Sequence, residues 1–194
     1  QLIRAGGKIR FLPESQAKTA DLECHMGRER FFVEVTAMVG SADWKRLPVR
    51  MFDEDVGWND AGALLIHRIL ARIRQKAKQL ADYSDPVVLS ISIPRADLRG
   101  ESARSREAIM LDLKTLCGSV TMLLSRILHL SAVMITMWDV DPSPSKSGTR
   151  LVNVEAVLRS QRQRGYPRVR LLIENPASHA MLTESLRDLL MQIL

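Results

Sequence analysis

A hairpin signal at residues 19–38 constrains this chain more than any other feature. The segment reads as two strands joined at Gly27-Arg28. A glycine at the first turn position favours a type II′ hairpin, whose twist suits antiparallel strands. In the register that this turn predicts, Asp21 lies opposite Glu34.

The hairpin register places two carboxylates and two threonines on one face of the sheet. Thr19 is predicted opposite Thr36, and the strand period of two puts Glu34 and Thr36 on the same face. Directly opposed residues have Cβ atoms about 4.5–5.5 Å apart. Because two carboxylates at that distance repel each other, something positive is expected between Asp21 and Glu34. A hard divalent cation such as Mg²⁺ suits them, since it takes carboxylate oxygens and keeps several waters.

Length and composition indicate a globular protein. The chain has 194 residues, which fits one domain, or one domain with an appendage. Hydrophobic residues make up 46% and charged residues 26%, which is enough apolar material for a real core. The absence of a long apolar run argues against a transmembrane helix, so no membrane partner is expected. Because the chain begins with Gln1, we expect its natural N-terminus to lie upstream.

The net charge and the cysteines bear on partners and compartment. The formal net charge is +6, which favours a polyanionic partner such as nucleic acid, although many equally basic proteins bind nothing anionic. Cys24 and Cys117 are too few and too far apart for a disulfide framework, and they suit a reducing cytoplasm. The four histidines show no zinc-ligand spacing.

The order of predicted elements indicates an α/β protein with a mixed sheet flanked by helices. A strand, a long helix and a further strand suggest a crossover that continues the sheet. The predicted strands are 8–12, 20–26, 30–38, 86–93, 131–138, 151–158 and 168–174. Of these segments, 151–158 could instead be helical. The predicted helical segments are a helix end at 1–7 capped by Gly6-Gly7, then 60–82, 105–129 and a last helix from about 180. Residues 39–59 are predicted to be a long irregular loop.

The helix predicted at 60–82 has a strongly basic outer surface. A solvated face is one interpretation, but such faces normally alternate in sign, and no Asp or Glu occurs from Ala61 to Leu80. Lys76 lies at the edge of the apolar stripe, from which it could lean toward the hairpin carboxylates. The basic residues of this surface are His67, Arg68, Arg72, Arg74, Lys76 and Lys78.

The predicted order of elements up to residue 95 is a helix end, three strands, a helix and a strand. Within it, Asp21 is followed on the next strand by Glu34-Val35-Thr36. This arrangement resembles the PD-(D/E)XK nuclease superfamily. Asp21 matches the family's Asp and Glu34 its acidic residue, whereas Thr36 stands where the family has Lys. The stretch 76–80 resembles the helix that flanks such sites. The resemblance covers about residues 1–95. It implies a restriction-endonuclease-like αβββαβ core there and a C-terminal α/β extension at about 96–194, within a single domain spanning 1–194.

The resemblance also implies an activity. A metal-dependent nuclease would hold Mg²⁺ on Asp21 and Glu34 and would hydrolyse DNA phosphodiester bonds. In the family, the Lys helps to activate water and to stabilise charge on the phosphate, and Thr36 cannot supply that charge. Lys76 is the best-placed substitute, while Thr36 would orient water or a ligand. The basic helix would track phosphates, with nucleic-acid contacts from Arg68, Arg72, Lys76, Lys78 and Gln79.

Two alternatives remain open at this stage. The first is a catalytically inactive module of the same fold, which binds nucleic acid or a protein partner. The second is a structural protein that forms a homodimer through the apolar helix predicted at 105–129.

Overall fold

The computed structural model describes residues 2–3, 6–13, 19–38, 61–80, 83–93, 109–138, 140–143, 151–161 and 165–193. These residues form an α/β fold. The strands are β1 (Lys8–Phe11), β2 (Leu22–Met26), β3 (Glu29–Ala37), β4 (Val87–Ile93), β5 (Ile109–Leu111), β6 (Ala132–Met137), β7 (Val140–Pro142), β8 (Val154–Leu158) and β9 (Val169–Glu174). The helices are α1 (Ala61–Gln79), α2 (Leu113–Leu124) and α3 (Glu184–Ile193).

Seven strands form one mixed sheet in the order β1-β2-β3-β4-β6-β9-β8. The first three strands are an antiparallel meander, and α1 then crosses over to β4, which is parallel to β3. β6 is parallel to β4, whereas β9 and β8 run antiparallel to their neighbours. The short strands β5 and β7 pair separately. The prediction of an α/β fold with a mixed sheet flanked by helices is confirmed, and strands from both halves of the chain share that sheet.

The β2–β3 hairpin has the predicted register. The ladder runs from the pair Leu22–Val33 to the pair Met26–Glu29, and Gly27 has a φ of 58°, which suits glycine. The ladder begins at Leu22, two residues after the predicted start of the strand at residue 20, so the predicted backbone pairs Asp21–Glu34 and Thr19–Thr36 are not part of it. Before Leu22, side-chain hydrogen bonds replace the ladder: Asp21 Oδ2 accepts from the amide of Val35, and the Tyr83 hydroxyl accepts from the amide of Ala20.

The two faces of the sheet are covered differently. Helix α1 packs its apolar stripe against the face that carries Phe32 and Leu89, and α2 packs on the same side. We call this the α1 face. The opposite face carries Phe31 and is covered by α3, so we call it the α3 face. The α1 stripe follows the helical period and consists of Leu65, Ile66, Ile69, Ile73 and Ala77.

The helix predicted at 105–129 is shorter in the structure. Residues 109–111 form β5, and Asp112 caps α2 by accepting hydrogen bonds from the amides of Lys114 and Thr115. A carboxylate at this position stabilises the helix start, so the helix begins at residue 113. Its apolar stripe is buried in the protein's own core, and the homodimer through this helix stays a prediction. The buried stripe consists of Leu116, Val120 and Leu124.

The residues before β1 match the predicted helix cap. The amide of Gly7 donates to Leu2 O at 3.0 Å, and that of Gly6 donates to Ile3 O at 3.1 Å. With Gly6 at a φ of 86°, this is the Schellman pattern that ends helices. The predicted loop at 39–59 lies outside the described residues. None of the described helices is long and apolar enough to cross a membrane.

Candidate functional site

A buried ion pair joins the central strand to the basic helix. Glu34 lies on β3, points to the α1 face and is only 4% exposed. Lys76 lies in the last turn of α1, and its Nζ donates to Glu34 Oε1 at 2.6 Å. The Lys76 side chain is 21% exposed. Such a charge-assisted hydrogen bond is short and strong in partly dry surroundings.

Asp21 lies beside this pair, although it precedes β2. Its Oδ2 accepts a hydrogen bond of 2.8 Å from the amide of Val35, the residue after Glu34. The carboxylate therefore replaces the backbone acceptor that a longer β2 would have supplied. This bond holds Asp21 against the peptide that follows Glu34.

Tyr83 fixes the segment that carries Asp21. Its hydroxyl accepts a hydrogen bond of 2.9 Å from the amide of Ala20. Its ring stacks on Phe32, with centroids 4.0 Å apart and planes at 24°. Tyr83 therefore links the end of the crossover to β3 and to the segment that leads into β2. Sequence reasoning missed Tyr83, because it belongs to no motif or periodic pattern.

Thr36 completes the polar row on β3. It is buried and lies two residues beyond Glu34 on the same face. Its parallel partner on β4 is Ile91, and that of Glu34 is Leu89, both fully buried. The polar row therefore has an apolar wall on its β4 side, which lowers the local dielectric and strengthens the ion pair.

The carboxylate oxygens of Asp21 and Glu34 are the candidate metal ligands of this site. No group of three His, Cys, Asp or Glu residues in the described part of the chain could hold a metal ion. Asp21 and Glu34 each use one carboxylate oxygen, toward Val35 and Lys76 respectively, and each has a second oxygen. Mg²⁺ is commonly held by one or two carboxylates, with waters and substrate phosphates completing its octahedron. By this chemistry Asp21 and Glu34 fit Mg²⁺, with no third His, Cys, Asp or Glu ligand within the described ranges.

The predicted nucleic-acid contacts separate into two groups on α1. Arg68, Arg72, Lys76 and Gln79 recur at intervals of four, four and three residues, so they form one line along the helix that reaches Glu34. Arg68 and Arg72 are half-buried on that line. Lys78 follows Lys76 by two residues, so it projects to the other side of the helix, where it is exposed.

A second polar cluster lies on the same face of the sheet, centred on Glu23. This buried carboxylate pairs with Arg10 on β1 and accepts from Arg30 Nε on β3 at 2.9 Å. His25 Nε2 lies 3.1 Å from Glu23 Oε1, and Arg30 also reaches Asp85 at 3.3 Å. Sequence reasoning missed this cluster. Arg10 lies opposite Glu23 in the β1–β2 register, which the β2–β3 turn does not set.

We expect the Glu23 cluster to make stability depend on pH. Hydrogen bonds from His25, and then from Arg10 and Arg30, lower the pKa of Glu23 below its ordinary value of 4.5, against the effect of burial. A carboxyl whose pKa is lowered by folding stabilises the fold above its unfolded pKa, and this contribution disappears as the pH falls through the folded pKa. Urea titrations at neutral pH should find Glu23→Gln less stable than the wild type.

The same titrations below pH 4.5 supply the control. There the difference between Glu23→Gln and the wild type should shrink as the pH falls from 4.5 toward the lower pKa of the folded state, because the unfolded carboxyl takes up its proton first and the native one last. A difference that stays constant across this range would contradict the assignment.

The two thiols are poor candidates for catalysis. Cys24 and Cys117 are free and buried. Burial raises the pKa of Cys24 to about 11 and that of Cys117 to about 12. Because the thiolate is the reactive form, neither side chain is a nucleophile near neutral pH.

Comparisons of the chain with family models, with curated proteins and with solved structures find no match in any of the three. The class of the protein therefore follows from the fold and the site alone. It is an α/β protein with a mixed seven-stranded sheet, in which Glu34 and Lys76 form a buried pair beside Asp21.

Proposed function

We propose that the protein is a metal-dependent nuclease-like enzyme that hydrolyses DNA phosphodiester bonds. The observation that carries the proposal is the 2.6 Å contact between Lys76 Nζ and Glu34 Oε1, beside Asp21. The PD-(D/E)XK pattern requires two carboxylates and one lysine. Thr36 would stand at the lysine position on β3, and Lys76 of α1, which contacts Glu34, would supply the ammonium instead.

The order of elements supports the same family. A Schellman cap, the meander β1–β3, the crossover helix α1 and the parallel strand β4 follow one another as in an αβββαβ core. We assign a restriction-endonuclease-like core to about residues 1–95. The remaining strands, from β6 onward in the large sheet, would be the C-terminal extension of a single domain spanning 1–194.

Each site residue would have a distinct role in hydrolysis. Asp21 and Glu34 would hold Mg²⁺, which supplies charge neutralisation and a water that ionises more readily. The Lys76 ammonium would orient water and stabilise negative charge on the phosphate, as the family's lysine does. The Thr36 hydroxyl would orient water or a ligand from the same strand face.

The basic helix would hold the substrate. Arg68 and Arg72 lie on the helix line that reaches the site, so their guanidinium groups would bind phosphates of the same strand. Gln79 would extend that line, and Lys78 would add attraction from the exposed side. We also place the protein in the cytoplasm, where its two buried thiols would stay reduced.

A cleavage assay tests the proposal. Plasmid and single-stranded DNA are incubated with the protein in Mg²⁺ or Mn²⁺, and the rate is compared with that of Glu34→Ala. We expect Glu34→Ala to lose a factor of about 10²–10³, the scale for removing one group that stabilises the transition state. The matched control is Glu184→Ala, an exposed glutamate of α3. Cleavage that survives Glu34→Ala would contradict the assignment of the site.

The Glu34–Lys76 bond also favours a second candidate, an inactive module of the same fold that binds nucleic acid or a protein partner. In such a relic the lysine would simply neutralise Glu34, and Thr36 would mark the lost function. Salt-sensitive DNA binding without cleavage would support the module and contradict the enzyme. An absence of DNA binding at low salt would contradict both nucleic-acid functions.

A further inference from the structure

The α3 face of the sheet is only partly covered. Leu186 and Leu190 of α3 pack on Val33, Val88 and Leu172. Further along β3, β4 and β6 the sheet forms the floor of an open groove of about 450 Å³. Val35 lies in this floor and is 48% exposed.

The groove has an aliphatic wall and a hydroxyl-bearing floor. Its wall includes Leu190 and Ile193 at the end of α3. Its floor presents the hydroxyls of Ser90, Ser92 and Thr136 from neighbouring strands. A mostly apolar concavity with a few polar groups is the usual form of a small-molecule site, and 450 Å³ lies within the usual size range.

An arginine borders the groove next to Thr136. Arg170 on β9 is the register partner of Thr136 on β6. Both side chains therefore project from the α3 face of the sheet, with Cβ atoms about 5 Å apart. The guanidinium of Arg159 lies 4.6 Å from the ring centroid of Tyr166, which lines the groove. Two cationic groups therefore stand at the β9 end of an apolar groove.

Nearby carboxylates do not satisfy Arg170. Asp141 pairs with Arg168, at 2.5 Å. Glu155 lies on the same face of β8, but within the described ranges it makes no ion pair with Arg170. The Nε of Arg170 is buried and has no hydrogen-bond partner among the described residues. Burial, and then the charge of Arg159, lower the pKa of Arg170, which agrees with a cation that has no carboxylate partner among the described residues.

We propose that this groove binds a small amphiphilic carboxylate, with its aliphatic chain between α3 and the sheet and its carboxylate on Arg170. A guanidinium presents two parallel donors that match a carboxylate, and the floor hydroxyls can donate to the same head group. At about 30 Å³ per heavy atom, the volume of a water molecule in the liquid, the groove holds roughly ten to fifteen heavy atoms. The site lies on the opposite face from Glu34, so the proposal is independent of the nuclease function.

Calorimetric titration with octanoate and with octanol tests the proposal. The two probes share their chain, and they differ in the charge of the head group. We expect saturable binding of octanoate, with octanol at least about 10-fold weaker, since a hydrogen bond to a charged group is lost. Equal affinity for the two probes would overturn the proposal.

Variants separate the head group from the chain. Arg170→Gln should weaken the binding of octanoate at least about 10-fold and leave the binding of octanol unchanged. Arg170→Lys should keep much of the preference for octanoate over octanol. Ser90→Leu, which fills the floor, should weaken both probes. Arg126→Gln, an exposed arginine after α2, is the matched control and should change neither.

Three further results would also overturn the proposal. The first is octanoate binding that Arg170→Gln does not change, with folding verified by circular dichroism. The second is an equal loss of binding in Arg126→Gln. The third is a concentration-dependent dimer that Ser90→Leu abolishes, because the groove would then be occupied by a second copy of the chain.

Discussion

Replacing Lys76 with Met is expected to lower the free energy of unfolding by about 3 kcal/mol. The variant leaves the Glu34 carboxylate buried without its cation, and breaking a buried pair from one side is strongly destabilising. We expect the lower end of the usual range, because the Lys76 side chain keeps 21% of its exposure. Urea unfolding gives the value, and Lys78→Met, on the exposed side of α1, is the control.

A double variant shows whether the cost arises from the unpaired charge. Glu34→Gln combined with Lys76→Met removes both charges, so most of the lost stability should return. If the double variant is as unstable as the sum of the single variants, the two side chains are not coupled. A loss in Lys78→Met equal to that in Lys76→Met would point to a general effect on the helix.

The stabilisation of the same variants by Mg²⁺ distinguishes the metal-dependent enzyme from the inactive module. If a cation uses Glu34, it should stabilise Lys76→Met more than the wild type, where the ammonium competes for the carboxylate. A ligand at about 100 times its dissociation constant stabilises the folded state by about 2.7 kcal/mol. Glu34→Gln should lose this increment. Equal increments in all three proteins would contradict a metal at Glu34.

Local chemistry made parts of the fold predictable. Gly27 set the hairpin register, because a positive φ at the first turn position restricts the turn type. The apolar stripe of α1 predicted which side of the helix packs on the sheet. Pro86 predicted where the next strand begins. The contact of Lys76 with Glu34 could be predicted, because the position of Lys76 at the edge of the apolar stripe follows from the helical period alone.

Other parts depended on contacts between distant residues. Tyr83 meets Ala20 across 63 positions in the chain, and no local pattern encodes such a bond. The segment before α2 is apolar enough for either a strand or a helix. Its conformation is decided by the pairing of Ile109 with Val140 and by the cap at Asp112. Arg159 and Arg170 lie near each other because β8 and β9 pair in the sheet beside β6. This pairing could not be read from the local sequence.

Asn175 is a buried polar residue away from the site, and its loss should weaken the fold strongly. It is 2% exposed and follows β9. Its Nδ2 donates to Ile127 O at 3.0 Å and to Leu130 O at 2.8 Å, while its Oδ1 accepts from the amide of Ala177 at 3.1 Å. One side chain thus joins the turn after α2 to the turn before α3.

Asn175→Ala is therefore expected to cost about 3 kcal/mol, since each buried group left without a partner costs about 1–3 kcal/mol. Asn175→Asp should cost at least as much, because an ionised carboxylate only accepts hydrogen bonds and would face two carbonyl oxygens. Gln192→Ala, an exposed amide on α3, should change stability by less than about 0.5 kcal/mol. Urea unfolding gives the values. The rate of DNA cleavage per folded molecule should stay unchanged in Asn175→Ala, because the bonds that it removes join turns and do not involve Glu34, Lys76 or Asp21.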